Sequence, residues 1–235
     1  HGTYLESAQP MECGDCLDSE ASRERVRTWF ERVAWWPNFR HMYPLGQWET
    51  DVQSCHVPRS AQECLAALQA SGVPHEVLDD VDGLFVPVKI TGPVEGVKFV
   101  QSKDLIVECE LAAALPDVAR VLSDNEITEV GVLSSYREDS LYSFHSLGLA
   151  LDVNWMRSSR FLRAMWLKVD YEATPQELTC KAKTTTPMGK VLQKVACDLW
   201  DARVFNTVIT PNYNEAHDNH FHFDLRPGDN RYFLR

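Results

Sequence analysis

Histidines are concentrated in two short segments of this chain. The segment HDNHFHFD contains His217, His220 and His222 within six positions, out of eight histidines in total. A fourth, His145, stands in SFHSLGLALD, seven residues before Asp152. Histidine is a frequent metal ligand and the side chain whose proton moves near neutral pH. Two such segments favour a metal-dependent active site.

The alternation within each segment is that of a strand with one polar face. In FHFDL, the apolar side chains alternate with His220, His222 and Asp224, which share the other face. In GLALDVNW, Asp152 falls on the face that also carries a glycine and an alanine, whose small size leaves room for an ion and a substrate. The turn-like residues after His145 would bring it back over Asp152. The two polar faces meet if these strands are neighbours.

Such a meeting would combine two imidazoles and one carboxylate. Three protein ligands with an open position are typical of catalytic zinc, whereas structural zinc has four ligands. Zinc lowers the pKa of a bound water towards about 7, which makes a hydroxide-like nucleophile available. A general base must still orient that water and carry its proton. Non-haem iron oxygenases also use two histidines and one carboxylate, but their usual H-x-D spacing is absent here.

Charge and hydropathy exclude several partners. The net charge of −11 lacks the basic footprint of a nucleic-acid-binding protein. The same charge disfavours a surface rich in anionic lipid. No apolar run approaches the roughly 20 residues that span a bilayer. We therefore predict no nucleic-acid partner and no membrane span, while the oligomeric state is left open.

Seven cysteines indicate an oxidising compartment. They are many for a cytosolic chain of 235 residues. Cys13 and Cys16 form a CxxC, but the second pair that a structural zinc site needs does not follow. Disulfides are favoured instead, with Cys180 and Cys197 as a candidate local pair. The odd count leaves at least one thiol unpaired within the monomer.

Periodicity divides the chain into two regions. Residues 1–78 are predicted to form a helical N-terminal extension, with helices over Ser22–Trp36 and Ser60–Ser71. The second helix has the residues of a capping box at its start and Gly72 as its C-cap. Residues 79–235 are predicted to form a separate domain that carries the site.

Short β-branched runs and turns follow one another from residue 79. The predicted strands lie in LFVPVKI, VKFVQS, ITEVGVLSSY, GLALDVNW, FNTVI and FHFDL. Helices are predicted over Leu105–Leu122, where Pro116 would break or restart the helix, and over Thr186–Ala202. The predicted fold class is α+β, a largely antiparallel sheet with helices on one side, preceded by the helical extension.

Two paired motifs resemble a known group of enzymes. The pattern S-x-H-x-x-G-x-A-x-D over Ser143–Asp152, followed by H-x-H over His220–His222, is similar to that of the LAS metallopeptidases. This group contains lysostaphin-type enzymes, D-Ala-D-Ala carboxypeptidases and the Sonic hedgehog signalling domain. Within it, the chain resembles the bacterial extensin-like C-terminal domain family over roughly residues 61–227. Further shared features are CLAALQASGV, LIVECELAAAL, SSYR and TPNYNEAHDNHFHFD.

The resemblance implies a fold and a metal. It implies a hedgehog/DD-peptidase-like domain with a central antiparallel sheet and flanking helices. His145, Asp152 and His222 match the ligands of a zinc ion. Asp224 is expected to support the site without binding the ion.

The resemblance also implies catalytic residues. His220 matches the catalytic histidine of the penicillin-insensitive murein endopeptidases, and His217 matches a further histidine of that branch. Arg137 matches the arginine that binds substrate and stabilises developing oxyanion charge. Asn219 stands where the carboxypeptidase branch has Glu, so the general base is expected to be His220.

The function implied by the resemblance is a zinc metallopeptidase of the bacterial cell wall. Its substrate would be a peptidoglycan peptide, cleaved at a D-alanine or meso-diaminopimelate bond, and its location periplasmic or secreted. The alternative is a non-catalytic, zinc-stabilised module of the same fold that binds cell wall or protein. The missing Glu makes that alternative a serious rival of the peptidase.

Overall fold

The computed structural model of the chain describes residues 20–37, 57–140, 142–229 and 231–235. Within these ranges, no helix combines the length and the apolar character that a membrane crossing requires. The CxxC of Cys13 and Cys16 lies outside them.

Two helices come first in the described part. Helix α1 spans Glu20–Val33 and buries Val26 and Phe30. Helix α2 spans Ala61–Ser71. A capping box at its N-terminus and a left-handed glycine C-cap at its C-terminus bound α2, as predicted. Both predicted helices are confirmed, the first with its start two residues and its end three residues earlier than predicted.

Strands and three further helices follow in the rest of the described chain. The strands are β1 (His75–Val77), β2 (Pro87–Ile90), β3 (Lys98–Val100), β4 (Leu105–Glu108), β5 (Ile127–Ser134), β6 (Ala150–Ser158), β7 (Met165–Trp166), β8 (Thr207–Ile209), β9 (Phe221–Asp224) and β10 (Phe233–Leu234). The helices are α3 (Cys109–Asp124), α4 (Leu167–Asp170) and α5 (Pro187–Asp201). Helix α5 confirms the prediction over 186–202.

The strands form two sheets. The larger sheet has the order β10-β8-β9-β6-β5-β3, with β7 paired to β6, and the smaller has the order β1-β2-β4. All of these pairs are antiparallel except β3 with β5 and β10 with β8. The mixed α+β class and the largely antiparallel sheet are therefore confirmed.

The predicted helix over Leu105–Leu122 is wrong at its N-terminal end. Residues 105–108 form β4 and pair with β2, and the helix begins only at Cys109. The helix then continues through Pro116 to Asp124. Proline removes one helical hydrogen bond, but Pro116 lies on the buried face of α3, where tertiary packing supplies most of a helix's stability.

The two faces of the larger sheet differ in character. One face is apolar and lies on the side of α3 and α5, which contact β5 and β8. Its buried residues include Val130, Val153, Met156, Phe221 and Phe223. We call the opposite face, which carries Asp152 and His222, the outer face.

Two disulfides join the described elements. Cys64 of α2 bonds Cys109 at the start of α3, and Cys180 bonds Cys197 as predicted. Such bonds are compatible with an extracellular location. The division at residues 78 and 79 stays a prediction, although the first disulfide and the β1–β2 pair both cross it.

A buried acid at the end of β4 makes the stability of the fold depend on pH. Glu108 is 2% exposed and accepts hydrogen bonds from the backbone N–H groups of Phe85 and Val86. Burial raises the pKa of Glu108 to about 7, although backbone N–H groups favour its charged form. Because the pKa of Glu108 in the folded state lies above the ordinary 4.5, the stability that Glu108 contributes to the fold is fully present below pH 4.5. This stability is lost as pH rises through about 7.

Glu108→Gln should therefore flatten the pH dependence of stability. Between pH 4.5 and pH 8, we expect the fall in the free energy of unfolding to shrink by up to about 3 kcal/mol relative to the parent. Urea unfolding followed by circular dichroism at several pH values measures it. Glu177→Gln, at an exposed position, serves as the control. Parallel pH profiles for Glu108→Gln and the parent would contradict the prediction.

Candidate metal centre

The pairing of β6 with β9 joins the two polar segments. Asp152 lies directly opposite His222 in this antiparallel register, with Leu151 opposite Phe223 and Val153 opposite Phe221. A slip of one residue would turn the apolar side chains away from the core and the polar ones into it. The burial of the apolar pairs thus determines that the carboxylate and the imidazole meet on the outer face.

A tight turn brings His145 to the same place. A 3-10 turn spans Phe144–Leu147, and the His145 N–H donates to the hydroxyl of Ser143. Gly148 then turns the chain with φ 61°, and a Cβ there would lie 2.6 Å from the backbone nitrogen of Glu108. Only glycine meets both conditions. The predicted return of His145 over Asp152 is confirmed.

Three ligand atoms converge on one point. His145 Nε2 lies 3.1 Å from Asp152 Oδ2, and His222 Nδ1 lies 2.9 Å from Asp152 Oδ1. The candidate ligand atoms all lie within 4.8 Å of one another, and all three side chains are buried. His145 Nε2 is buried without a hydrogen-bond partner, because its approach to Asp152 lacks the alignment of a hydrogen bond. A buried polar atom without a partner is costly unless another group, such as an ion, satisfies it.

The far nitrogen of each imidazole is held by an acceptor. His145 Nδ1 contacts the Ser135 carbonyl oxygen, and His222 Nε2 lies 3.3 Å from Asp224 Oδ2. Arg226 Nε in turn donates to Asp224 Oδ1 at 2.8 Å. Because the carbonyl and the ionised carboxylate only accept, each ring donates its far N–H and directs the other nitrogen towards Asp152. Metal-ligating histidines are held in this way, so these residues fit a divalent ion.

Electrostatics keep the Asp152 carboxyl group in its anionic form. Burial opposes its charge, but the adjacent imidazoles of His145 and His222 outweigh burial and hold the pKa of Asp152 well below its usual range. Burial lowers the pKa of His145. Burial also opposes the charge of His222, yet Asp152 and Asp224 raise the pKa of His222 to about 9. Metal binding at such a cluster displaces a proton from the imidazole.

The remaining predicted site residues surround the triad. His220 Nε2 lies 3.5 Å from Asp152 Oδ1, and His220 Nδ1 lies 2.7 Å from Asn219 Oδ1. Burial lowers the pKa of His220. Arg137 is half-exposed at the rim, 3.9 Å from Asp152 Oδ2. An acceptor on Nδ1 leaves Nε2 as the basic nitrogen of His220, directed towards the ligand cluster.

His217 packs against two other histidines of the site. Its ring centroid lies 5.1 Å from that of His220 and 6.0 Å from that of His222. Its Nδ1 is paired with Asn214 Oδ1 at 2.7 Å. Burial, with the nearby His222 and His220, lowers the pKa of His217 to about 4. His217 therefore contacts the other imidazoles without reaching the ligand cluster.

Two groups that support the site, the Ser135 carbonyl and the Arg226 side chain, were not predicted from the sequence. The Ser135 carbonyl is a backbone group and carries no sequence signal. Arg226 stands two residues after Asp224, a spacing that puts both side chains on one face of a strand. That spacing could have indicated their pairing.

A cavity elsewhere on the molecule lacks convergent chemistry. It has a volume of about 410 Å³ and its lining includes Arg59, Glu110, Asp117 and Arg120. Arg59 pairs with Glu110 at 2.8 Å, and Arg120 pairs with Asp117 at 2.7 Å. Since these charges neutralise one another, we place the functional site at the histidines.

Comparison with protein families agrees with the motifs. The profile of a family described as "Extensin-like protein C-terminus" matches residues 62–233. This chain belongs to the extensin-like family. All six predicted site residues of this extensin-like protein, and both of its described disulfides, fall within the matched range. Comparison with curated proteins and with solved structures gives no match.

Asp224 should strengthen metal binding through His222. We expect Asp224→Asn to weaken zinc affinity about 10- to 100-fold, because the amide no longer holds the far nitrogen of His222 as a carboxylate does. A competition titration against a chromophoric chelator measures the affinity. Asp229→Asn is the matched control, since Asp229 is buried and pairs with Arg231. Equal zinc affinity in the two variants would contradict the role of Asp224.

Proposed function

We propose that this extensin-like protein is a zinc-dependent peptidase that cleaves bacterial peptidoglycan peptides at a D-alanine or meso-diaminopimelate bond. The observation that carries the proposal is the convergence of His145 Nε2, the Asp152 carboxylate and His222 Nδ1, with both far nitrogens held by acceptors. Three protein ligands leave an open coordination position, as in catalytic zinc sites.

The groups around the triad suit hydrolysis. Zinc bound there would polarise the scissile carbonyl and lower the pKa of water. His220, with its Nδ1 held by Asn219, offers Nε2 to accept the proton of the attacking water and to pass it to the leaving amine. Arg137 at the exposed rim stabilises oxyanion charge or binds a carboxylate of the substrate.

We extend the proposal to the fold group and the cellular location of the protein. The antiparallel β6–β9 pair, with one ligand on each strand, supports a hedgehog/DD-peptidase-like fold of the LAS group. Two disulfides and a cell-wall substrate agree with a periplasmic or secreted location.

Mass spectrometry of muropeptides tests the proposal. Peptidoglycan sacculi are incubated with the zinc-loaded chain and, in parallel, with the His220→Ala variant. We expect the parent to release D-alanine or to open cross-links, and the variant to leave both intact. Sacculi unchanged by the parent protein, with zinc content verified, would contradict the proposed activity.

One observation favours a second function, a non-catalytic binding module. Asn219 occupies the position of the carboxypeptidase Glu, and its side chain is engaged with His220. Retention of the protein on sacculi without any product, equally in the parent and in His220→Ala, would favour binding over hydrolysis.

A further inference from the structure

Beyond the ligand cluster, the outer face of the sheet also carries Trp155 of β6. The register between β5 and β6 shifts between the pairs Gly131–Trp155 and Val132–Val153. The extra residue on β6 puts Trp155 on the outer face with Asp152, three positions earlier, while Val153 remains in the core. Three residues of strand span about 10 Å.

Trp155 covers Gly131 of β5 and contacts a second tryptophan. A Cβ on Gly131 would lie 1.9 Å from Trp155 Nε1, so the absence of a side chain there lets the indole rest on the backbone of β5. Trp166 faces Trp155 across the β6–β7 pair, with ring centroids 6.2 Å apart and planes at 47°. Trp166 is 46% exposed. We call these two residues the tryptophan pair.

Ion pairs are formed by charged residues close in sequence to the tryptophan pair. In the β5–β6 register, Glu129 and Arg157 lie next to Gly131 and Trp155, and Glu129 pairs with Lys98 at 3.4 Å and with Arg157 at 3.0 Å. Lys168, two residues after Trp166, pairs with Asp218, in the loop that leads to His220. The second ion pair joins the segment that follows Trp166 to the loop between His217 and His220.

These ion pairs restrict what the tryptophan pair can bind. A stable protein interface buries about 800 Å² per partner and has few charges at its centre. Two rings with ion pairs on neighbouring residues suit a narrower ligand that has apolar C–H faces and hydroxyl or amide groups at its edges. A pyranose ring with an acetamido substituent has this chemistry.

We propose that Trp155 and Trp166 bind N-acetylated pyranose rings of the glycan strand that carries the substrate peptide. The inference rests on the proposed function, because peptidoglycan peptides are attached covalently to such a glycan. The peptide then lies beside the ligand cluster at Asp152 while the adjoining sugars stack on the indoles. The tryptophan pair thereby selects peptides that are still joined to glycan.

Binding of a glycan without peptide tests the site apart from any cleavage. The probe is the β-1,4-linked hexamer of N-acetylglucosamine, titrated into the full chain and followed by calorimetry. We expect Trp166→Ala to weaken binding about tenfold and Trp166→Tyr to retain most of it. Leu162→Ala is the control, since Leu162 is a fully exposed apolar side chain without a ring. Failure of the parent to bind the hexamer, or equal binding by Trp166→Ala, would overturn the inference.

A cleavage assay separates this inference from the proposed function. With both correct, Trp166→Ala raises KM for intact peptidoglycan and leaves cleavage of glycan-free peptides unchanged. Hexamer binding that depends on Trp166, in a protein that cleaves neither substrate, would support the glycan site and contradict the peptidase. Sedimentation showing that Trp166→Ala turns a dimer into a monomer, with no hexamer bound by the parent, would make the tryptophan pair a self-association surface and overturn the inference.

Discussion

Asp152→Ala and His222→Ala should each abolish zinc retention and peptide cleavage together. Asp152 contacts both ligand imidazoles, at 3.1 Å and 2.9 Å, so its loss removes the anionic centre of the cluster. Loss of His222 leaves two ligands and frees Asp224 from its imidazole partner. We expect zinc content to fall from about one ion per chain to below one tenth, with no detectable product.

Metal analysis after gel filtration measures the zinc, and muropeptide analysis measures the product. His75→Ala is the matched control, because His75 is a partly buried histidine in β1 whose Nδ1 contacts the Val73 carbonyl. It should retain both zinc and activity. Stoichiometric zinc in either ligand variant, with circular dichroism showing a folded protein, would contradict the assignment of the triad.

His220→Ala should separate metal binding from catalysis. The imidazole lies beside the cluster and its Nε2 is 3.5 Å from Asp152 Oδ1, yet it is absent from the buried set of converging ligand atoms. We therefore expect a full complement of zinc and a cleavage rate about 10²- to 10⁴-fold lower, the usual contribution of a general base.

Added imidazole offers a sharper readout for the same variant. If the side chain acts as a base, free imidazole should restore part of the rate in His220→Ala and have no effect on the parent or on His222→Ala. A His220 variant that cleaves peptidoglycan at the parental rate would make the proposed base wrong. A variant that loses zinc as well would move His220 into the ligand set.

The two expected results together decide between an enzyme and a binding module. A non-catalytic module would lose stability and cell-wall binding with the ligands, but its binding would not depend on His220. Arg137 at the rim would then contact the bound peptide without any oxyanion to stabilise.

Local patterns in the chain were sufficient to predict the sheet face that carries Asp152 and His222. Alternation in FHFDL and GLALDVNW predicted which side chains share a face, and the observed register confirms it. The capping box of α2, the helix over 187–201 and the pair Cys180–Cys197 are likewise short-range features that sequence spacing predicts. These succeed because residues a few positions apart determine them.

Features that depend on distant partners were decided by the tertiary structure. The apolar residues at 105–108 fit the apolar face of the helix that follows, so the sequence did not separate them from it. Their pairing with the neighbouring β2 makes them a strand. The Ser135 carbonyl reaches His145 because β5 ends beside the turn, and the tryptophan pair exists because β7 returns against β6. The sequence by itself determined which residues could bind an ion. The packing of strands far apart in the chain decided that the candidate ligand atoms converge on one point. The direction of a side chain and its distance from another are set by the neighbours of its strand, not by the residues of that strand alone.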